Sequence, residues 1–375
     1  MRRTETYNAA DYDVFVGIDV DKKSFAVTVK DRQGAELSKK MPADPVHLEN
    51  YLKKRFTGQK AICAYEAGPT GYHLYDYLKA RSQPCIVTSP VTMRKAPNEL
   101  VKTNRLDSVK LAQELRAGEL KSVRVPEGAY RELRQLVKSR EEYVAARKAA
   151  KQRIRSQLLY GHLDTPLGEG NWSGRHIASL KTLACDESTR LRLDMLLSDL
   201  DYARRQTAMI LLGLKRFFKK HTELGEYLSH LQSIPGVGFL TAATLLARIG
   251  DPAGLRNPRE LGCFIGLVPR ENSTGDRVVR GGITHMGGQS LRALLVEAAW
   301  SAVRHDKELE QFYNRIRIRH RPGIGARKAI VAVARKMTHR IYSVLKERRD
   351  YVVHCRTFLD KERFPFETTR GRIRT

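Results

Sequence analysis

The sequence predicts an α/β amino-terminal domain with a mixed sheet, followed by a long helical arm and a mostly α-helical carboxy-terminal domain. Short apolar runs alternate with amphipathic stretches up to residue 125, which is typical of α/β domains. Two long stretches with apolar residues at helical spacing follow, and then apolar segments separated by glycine and proline. We expect domains at 1–125, 126–224 and 225–355, and a basic tail at 356–375.

The first strand is predicted at Val14–Val20, where an almost unbroken apolar run suits a strand that is buried on both faces. The segment from 101 to 120 predicts a helix that begins at Asn104 or Arg105 and is closed by Gly118. A polar connection is expected after the second strand. The remaining elements are predicted as strands at Ser24–Lys30, Ala61–Tyr65 and Pro84–Val87, and helices at Val46–Arg55 and Tyr72–Arg81.

Three acids of this domain each follow an apolar strand or open a helix: Asp19, Glu66 and Asp107. The ends of separate strands can converge, and clustered carboxylates tolerate one another when a divalent cation neutralises them. Mg²⁺ takes oxygen ligands and keeps waters and substrate phosphates around it, and near a phosphodiester it polarises the phosphoryl oxygens. The alternative is ordinary: a surface acid after a core strand, or an acid in the first turn of a helix.

The middle of the chain predicts two long antiparallel helices that form a coiled-coil arm. The first, from Tyr130 to Tyr160, carries a thin apolar stripe among many Lys and Arg residues. A break at Gly161–Gly174 precedes the second helix, at Glu187–Lys220, whose apolar residues lie near heptad spacing. The basic side of the arm is either a solvated face or a contact surface for nucleic acid.

The last domain opens with a stretch that resembles a helix-hairpin-helix. Gly236 and Gly238 flank Val237 in a tight turn before a helix predicted at Thr241–Ile249, and such turns can present backbone N–H groups to a phosphate. An ordinary helix pair joined by a glycine turn is the alternative. The stretch Glu271–Gly282 is rich in Gly, Ser, Thr and Arg, which predicts an exposed loop.

The charge balance predicts a polyanionic partner. The 375 residues include 68 Lys and Arg against 41 Asp and Glu, a net charge of +27, for which nucleic acid is the default partner and an anionic membrane surface the alternative. No apolar run approaches the roughly 20 residues that span a bilayer, and the first residues do not resemble a signal peptide. The five scattered cysteines argue against a zinc site and a disulfide framework. We expect a cytoplasmic, nucleoid-associated protein without a membrane partner.

Several motifs together resemble the IS110 family of transposases, and more narrowly its IS1111 group. They occur in the expected order and cover both ends of the chain. The matching stretches are GIDVDKKSFAV at 17–27, YEAGPTGY at 65–72, VKTNRLDSVKLAQELRAGEL at 101–120, TAATLLARIGD at 241–251, GLVPRENSTGDRVVRGGITHMGG at 266–288 and LRALLVEAAW at 291–300.

The resemblance implies an RNase H-like (RuvC-like) domain whose Asp-Glu-Asp-Asp site binds Mg²⁺ or Mn²⁺. The first acids are Asp19 and Glu66, and the last pair falls at Asn104 and Asp107. Asn104 departs from the family pattern because its amide oxygen can bind a metal ion but carries no charge. It could also cap the helix, for which Asn is suited.

The resemblance also implies a transposase domain with a nucleophilic serine. The run Asn272–Gly275 leaves the alignment ambiguous, so Ser273 is the expected nucleophile and Thr274 the alternative. Phosphate contacts are expected from basic residues near both motifs and from the glycine turn. These candidates are Lys102, Arg105, Gly236, Gly238, Arg280, His285 and Arg292.

The implied function is a bacterial or archaeal DNA transposase or recombinase that cuts and rejoins strands of element ends and target DNA. The resemblance further implies a homo-oligomer, dimer or tetramer, with each site shared between protomers, and a non-coding guide RNA encoded by the element. Two alternatives remain. One is a Holliday-junction-type metal nuclease or invertase without a serine intermediate, and the other is a nucleic-acid-binding protein with a decayed active site.

Overall fold

The computed structural model describes residues 7–89, 103–164, 172–274, 277–285 and 287–352. Two compact units divide the chain, Met1–Glu127 and Gly128–Thr375. The predicted tail at 356–375 lies outside the described residues. Each unit is described by itself.

The first unit contains a five-stranded sheet in the order β3-β2-β1-β4-β5. β1 pairs antiparallel with β2 and parallel with β4, so the sheet is mixed, as the sequence predicts. β3 pairs antiparallel with β2, and β5 parallel with β4. The strands are β1 (Val14–Val20), β2 (Ser24–Asp31), β3 (Glu36–Pro42), β4 (Ala61–Glu66) and β5 (Cys85–Thr88).

Helices cover both faces of this sheet, which explains why β1 reads as a continuous apolar run. The helices are α1 (Pro45–Arg55), α2 (His73–Ala80) and α3 (Asn104–Arg116). Val14, Val16 and Ile18 face the core that α1 and α2 complete. Phe15 faces the opposite core, which includes Leu111 of α3.

Two details of this unit differ from the sequence prediction. The stretch expected to be a polar connection is the edge strand β3, most of whose residues are exposed because only one side of it pairs. The helix cap at α3 is Thr103, whose side chain accepts a hydrogen bond from the Leu106 N–H, so Asn104 is the first helical residue and not the cap.

The described residues of the second unit are helical apart from one hairpin and the connections between the helices. Its helices are α4 (Gly128–Tyr160), α5 (Gly174–Lys181), α6 (Glu187–Lys220), α7 (Thr222–Gln232), α8 (Phe239–Ile249), α9 (Pro258–Ile265), α10 (Gln289–His305), α11 (Lys307–Arg317) and α12 (Ile324–Glu347). α12 packs against α9, α10 and α11. A partly buried network fixes α12 to α11, in which Arg340 donates to the Asp306 carboxylate at 2.5 Å and to that of Glu308 at 2.8 Å.

The helices α4 and α6 form a long antiparallel pair. Ile154, near the end of α4, shares a core cluster with Leu193, near the start of α6. Farther along, the rings of Tyr143 and Tyr202 meet edge to face, with their centroids 6.1 Å apart. The two predicted long helices are therefore present and antiparallel, and α5 lies between them in sequence. Arg134 joins the pair to the rest of the unit by donating to the Ala247 carbonyl at 2.8 Å.

The stretch predicted as an exposed loop, Glu271–Gly282, belongs largely to a β-hairpin, so that prediction is wrong. β6 (Pro269–Thr274) pairs antiparallel with β7 (Arg277–Ile283). Two strands that pair only with each other form no sheet with a buried face, so they need no alternation of apolar and polar residues. The Gly, Ser, Thr and Arg residues of this stretch therefore suggested a loop. In the described parts of the chain, no helix is long and apolar enough to span a bilayer.

Candidate active site

The α3 helix lies directly on β1 at Gly17. A Cβ at this position would come within 2.2 Å of the Ser108 carbonyl oxygen and 2.5 Å of the Ala112 nitrogen. The Ser108 hydroxyl also lies 2.8 Å from the Thr28 hydroxyl on β2. Only glycine at position 17 allows the helix backbone to approach the strand this closely, so this residue sets the height of α3 above the sheet.

Asp19 and Glu66 occupy neighbouring positions at the carboxyl ends of β1 and β4. Alternate strand residues share a face, so Asp19 lies on the same face as Gly17, beneath α3. Ala64 packs in the α3-side core, which places Glu66 on this face as well. Ile18 pairs with Tyr65 in parallel register, and the acids occupy the next position on each strand. Adjacent strands are about 4.8 Å apart.

The first turn of α3 lies at the same end of the sheet. Leu115 packs in the cluster that contains Phe15, whereas Ser108 lies over Gly17, so α3 runs antiparallel to β1. Its amino terminus, with Asp107, therefore points toward the end that carries Asp19. The positive end of the helix dipole favours negative charge there. Asn104 and Arg105 are exposed in this turn, and Asp107 is half-buried.

The acids share one edge of one face but do not form a closed metal-binding group. Among the residues that the structure describes, no three His, Cys, Asp or Glu side chains are placed to hold one metal ion. That Asp19, Glu66 and Asp107 together hold one cation stays a prediction. Lys102, expected beside them, lies outside the described residues.

The predicted serine lies in the second unit, on the hairpin. Ser273 and Thr274 are consecutive residues of β6 that pair with Val278 and Arg277 of β7. Arg280 belongs to β7, where it pairs with Glu271.

Two other residues expected to contact phosphate lie just beyond this hairpin. Arg292 donates to the backbone carbonyls of Ile265, at 3.2 Å, and Gly287, at 2.6 Å, so its guanidinium holds the chain that leads into α10. His285 lies in the same connection with a φ of 55°, a left-handed conformation that is uncommon outside glycine.

The two glycines of the predicted phosphate-binding turn have different environments. Gly236 has a φ of 86°, and a Cβ there would come within 2.1 Å of the Ala298 carbonyl oxygen on α10. It is therefore required for packing between the turn and α10. Gly238 caps the amino terminus of α8, and a Cβ there would meet nothing within 4 Å. Of the two, Gly238 has the open position that a phosphate contact requires.

Sequence reasoning missed the residues that position α3. Gly17 interrupts an apolar strand, and a glycine inside a strand signals close approach of another backbone. That signal was present in the sequence. The hydroxyl contact between Thr28 and Ser108 has no such signal, because the two residues are 80 positions apart.

Comparison with known proteins places these features in a family. Residues 16–162 match a transposase model of the DEDD type named for IS110. Residues 228–314 match the model of the IS116/IS110/IS902 transposase family. The transposase-type protein y4qE of Sinorhizobium fredii is 32% identical over 301 residues, which cover 78% of this chain and 73% of that protein.

The chain belongs to the IS110 family of transposases. The transposase of insertion sequence element IS1111A from Coxiella burnetii is 26% identical over 341 residues, 90% of each chain. The pilin gene-inverting protein of Moraxella bovis is 28% identical over 131 residues, which cover 34% of this chain and 40% of that protein. This IS110-family chain is thus a DNA transposase or recombinase, and the matched segments include both Asp19 and Glu66 in one unit and Ser273 in the other.

Proposed function

We propose that this transposase cuts and rejoins DNA strands with a carboxylate site in the first unit and the Ser273 hydroxyl in the second. The observation that carries the proposal is the position of Asp19 and Glu66, side by side at the edge of the sheet toward which the first turn of α3 points. Two buried strands that end next to each other in half-exposed acids can offer both carboxylates to a divalent cation near a phosphodiester.

The donor set of this edge suits Mg²⁺ or Mn²⁺. Asp19, Glu66 and Asp107 offer carboxylate oxygens, Asn104 an amide oxygen, and hard divalent cations take such ligands together with water. These residues would hold the ion, which when bound supplies charge stabilisation at a phosphoryl oxygen. The amide at position 104 brings one negative charge fewer than the family pattern, so weaker metal affinity is expected.

The covalent step in this proposal is a substitution at phosphorus. The Ser273 oxygen bonds to phosphorus, the bond to the departing strand's oxygen breaks, and the serine proton passes to a base. A hydroxyl of the second strand then displaces serine and restores the phosphodiester. Only one of the two neighbouring hydroxyl residues, Ser273 or Thr274, is expected to carry the adduct.

The decisive experiment uses purified full-length protein, Mg²⁺ and DNA that carries the element ends, with the element's own transcript supplied. Asp19→Asn and Glu66→Gln are expected to abolish strand cleavage while DNA binding persists. Asp21→Asn is the matched control, because Asp21 is an exposed acid in the turn that directly follows β1. Loss of cleavage in the control alone, or retention in both site variants, contradicts the carboxylate assignment.

The nucleophile is tested by trapping the protein–DNA adduct and mapping it. Ser273→Ala should remove the adduct and Thr274→Ala should leave it. Cleavage that persists in both variants favours the alternative of a metal nuclease or invertase without a serine intermediate. Cleavage seen only after Asn104→Asp favours the alternative of a nucleic-acid-binding protein with a decayed site.

We propose further that the active assembly is a homo-oligomer that acts in the cytoplasm at the nucleoid, guided by an element-encoded RNA. The net charge of +27 supports a nucleic acid as the partner, because many Lys and Arg residues can pair with its phosphate backbone. Mixing Asp19→Asn protein with Ser273→Ala protein tests the sharing of sites, since restored cleavage requires that one protomer supply the acids and another the serine. If the RNA guides the reaction, omitting the transcript should abolish cleavage.

A further inference from the structure

Trp172, immediately before α5, organises three cations on the helix pair. Its ring packs, partly buried, against the core between α4 and α6. The Lys151 ammonium lies 5.1 Å and the Arg155 guanidinium 5.7 Å from the centroid of the ring. From α6, Arg204 donates to the Trp172 carbonyl oxygen at 2.6 Å. One partly buried aromatic residue therefore restricts positive side chains from both long helices.

The positive charges at this place are crowded. Arg147, Lys151 and Arg155 follow one another at four-residue spacing and share one face of α4. Burial, and then the positive charges of Arg147, Arg204 and Arg155, lower the pKa of Lys151. Like charges at this spacing repel one another along the helix.

We propose that Lys151, Arg155 and Arg204, which contact Trp172, and Arg147, one turn before Lys151 on α4, form a binding site for the phosphate backbone of a nucleic-acid strand. We name these five residues the Trp172 cluster. From 147 to 155 the cluster extends about 12 Å along α4, a length over which one strand carries about three phosphates. The proposal deepens the proposed function, since it rests on nucleic acid as the partner and names a place that the acid site and the serine hairpin do not include.

The chemistry of the cluster favours the backbone over the bases. The tryptophan ring already contacts two cations and meets His176 edge to face, at 5.8 Å between centroids. It is thus engaged in fixing side chains, and the charged groups around it are ammonium and guanidinium donors, which pair with phosphate oxygens. DNA and RNA share this chemistry, so both are used as probes.

The first test compares two double variants of the full-length protein that remove equal charge from α4. Arg147→Gln with Lys151→Gln alters the Trp172 cluster. Lys148→Gln with Arg153→Gln is the matched control, because both residues are exposed on the same helix outside the cluster. The probes are a DNA duplex, a DNA single strand and an RNA hairpin of matched length, with binding followed by fluorescence anisotropy across a salt series.

The cluster variant is expected to bind at least one probe roughly tenfold more weakly, with the slope of log K against log salt reduced by about 2. The control should change little. The probe on which the two double variants differ in affinity shows whether the cluster binds duplex DNA, single-stranded DNA or RNA. Equal changes in the two double variants, on every probe, overturn the proposal, because charge alone would then explain the loss. Since no cleavage is measured, failure here leaves the proposed strand exchange untouched.

The second test detects occupancy of the site directly. The chain contains two tryptophans, so Trp300→Phe leaves Trp172 as the single reporter. Iodide should quench Trp172 efficiently because the surrounding cations attract it, and saturating nucleic acid should reduce that quenching several-fold. Quenching by neutral acrylamide controls for a general change in exposure. Iodide quenching that is unchanged at saturation places the strand elsewhere and overturns the site.

Discussion

The Ser108 hydroxyl on α3 lies 2.8 Å from the Thr28 hydroxyl on β2, and one strand over, Gly17 leaves no room for a side chain beneath the same turn. These contacts fix the depth and the lengthwise position of α3 on the sheet. Since Asp107 directly precedes Ser108, they also determine where the first turn lies relative to Asp19 and Glu66.

Gly17→Ala should therefore displace α3. The added methyl would meet backbone atoms of Ser108 and Ala112, which cannot move aside as a side-chain end can, so we expect a loss of about 3 kcal/mol in the free energy of unfolding. Urea denaturation measures it. Gly213→Ala is the control: nothing lies within 4 Å of its Cβ position in α6, and there the same change should stabilise by about 0.5–1 kcal/mol. Unchanged stability in Gly17→Ala would show that α3 is not held as described.

Asn104→Asp should shift the metal dependence of cleavage. A carboxylate adds a negative charge to the first turn of α3, beside the acids of β1 and β4, and so strengthens attraction for a divalent cation. We expect half-maximal cleavage at a several-fold lower Mg²⁺ concentration, measured by titration. Asn104→Ala, which removes the oxygen ligand, should shift the requirement upward. Identical titrations for all three proteins would exclude position 104 from the metal site.

Arg340→Ala should destabilise the second unit strongly. Asp306 is 1% exposed and accepts hydrogen bonds from the Leu309 N–H, at 3.0 Å, and from Arg340. Removing the guanidinium leaves a buried carboxylate without its charged partner, for which the expected loss is about 3–5 kcal/mol. Arg205→Ala, which breaks an exposed pair with Asp201, should cost less than about 1 kcal/mol. Similar losses for the two variants would contradict this account.

The same network predicts a dependence of stability on acid pH. Burial alone raises the pKa of Asp306, yet the hydrogen bonds from Leu309 and Arg340 outweigh it and hold the pKa below its ordinary value of 3.8. The stabilisation is present above that value and is lost as pH falls from about 3.8 through the pKa of the folded state. Urea midpoints measured from pH 6 down should fall more steeply for the natural protein than for Arg340→Met. Urea midpoints that fall equally with pH in the two proteins would contradict this role of Asp306.

The sequence predicted elements well wherever burial leaves a periodic pattern. Val14–Val20 and Glu187–Lys220 were predicted with the bounds that the structure has, because one is buried on both faces and the other carries a long apolar stripe. β3 was missed because it is an exposed edge strand whose pairing partner is β2, a relationship that its own seven residues do not encode.

The candidate site was only partly predictable for a related reason. The sequence identified acids at strand ends, and the sheet register then placed Asp19 next to Glu66. It could not show that Gly236 packs against α10, since the two segments are about 60 residues apart and nothing in the turn itself indicates α10. It also gave no indication of the Trp172 cluster, whose members come from α4, α6 and the chain before α5.

The helix α3 comes after all five strands of its own sheet in the sequence, although it covers the face that carries Asp19 and Glu66. During translation, Phe15 and Ile62 lack their cover until residue 116 has left the ribosome. Nascent chains with such bare apolar surface tend to aggregate, so chaperones should engage this protein early. A translation product that stops before α3 has no first turn to place beside the acids, so under the proposed function we expect such an incomplete chain not to cleave DNA.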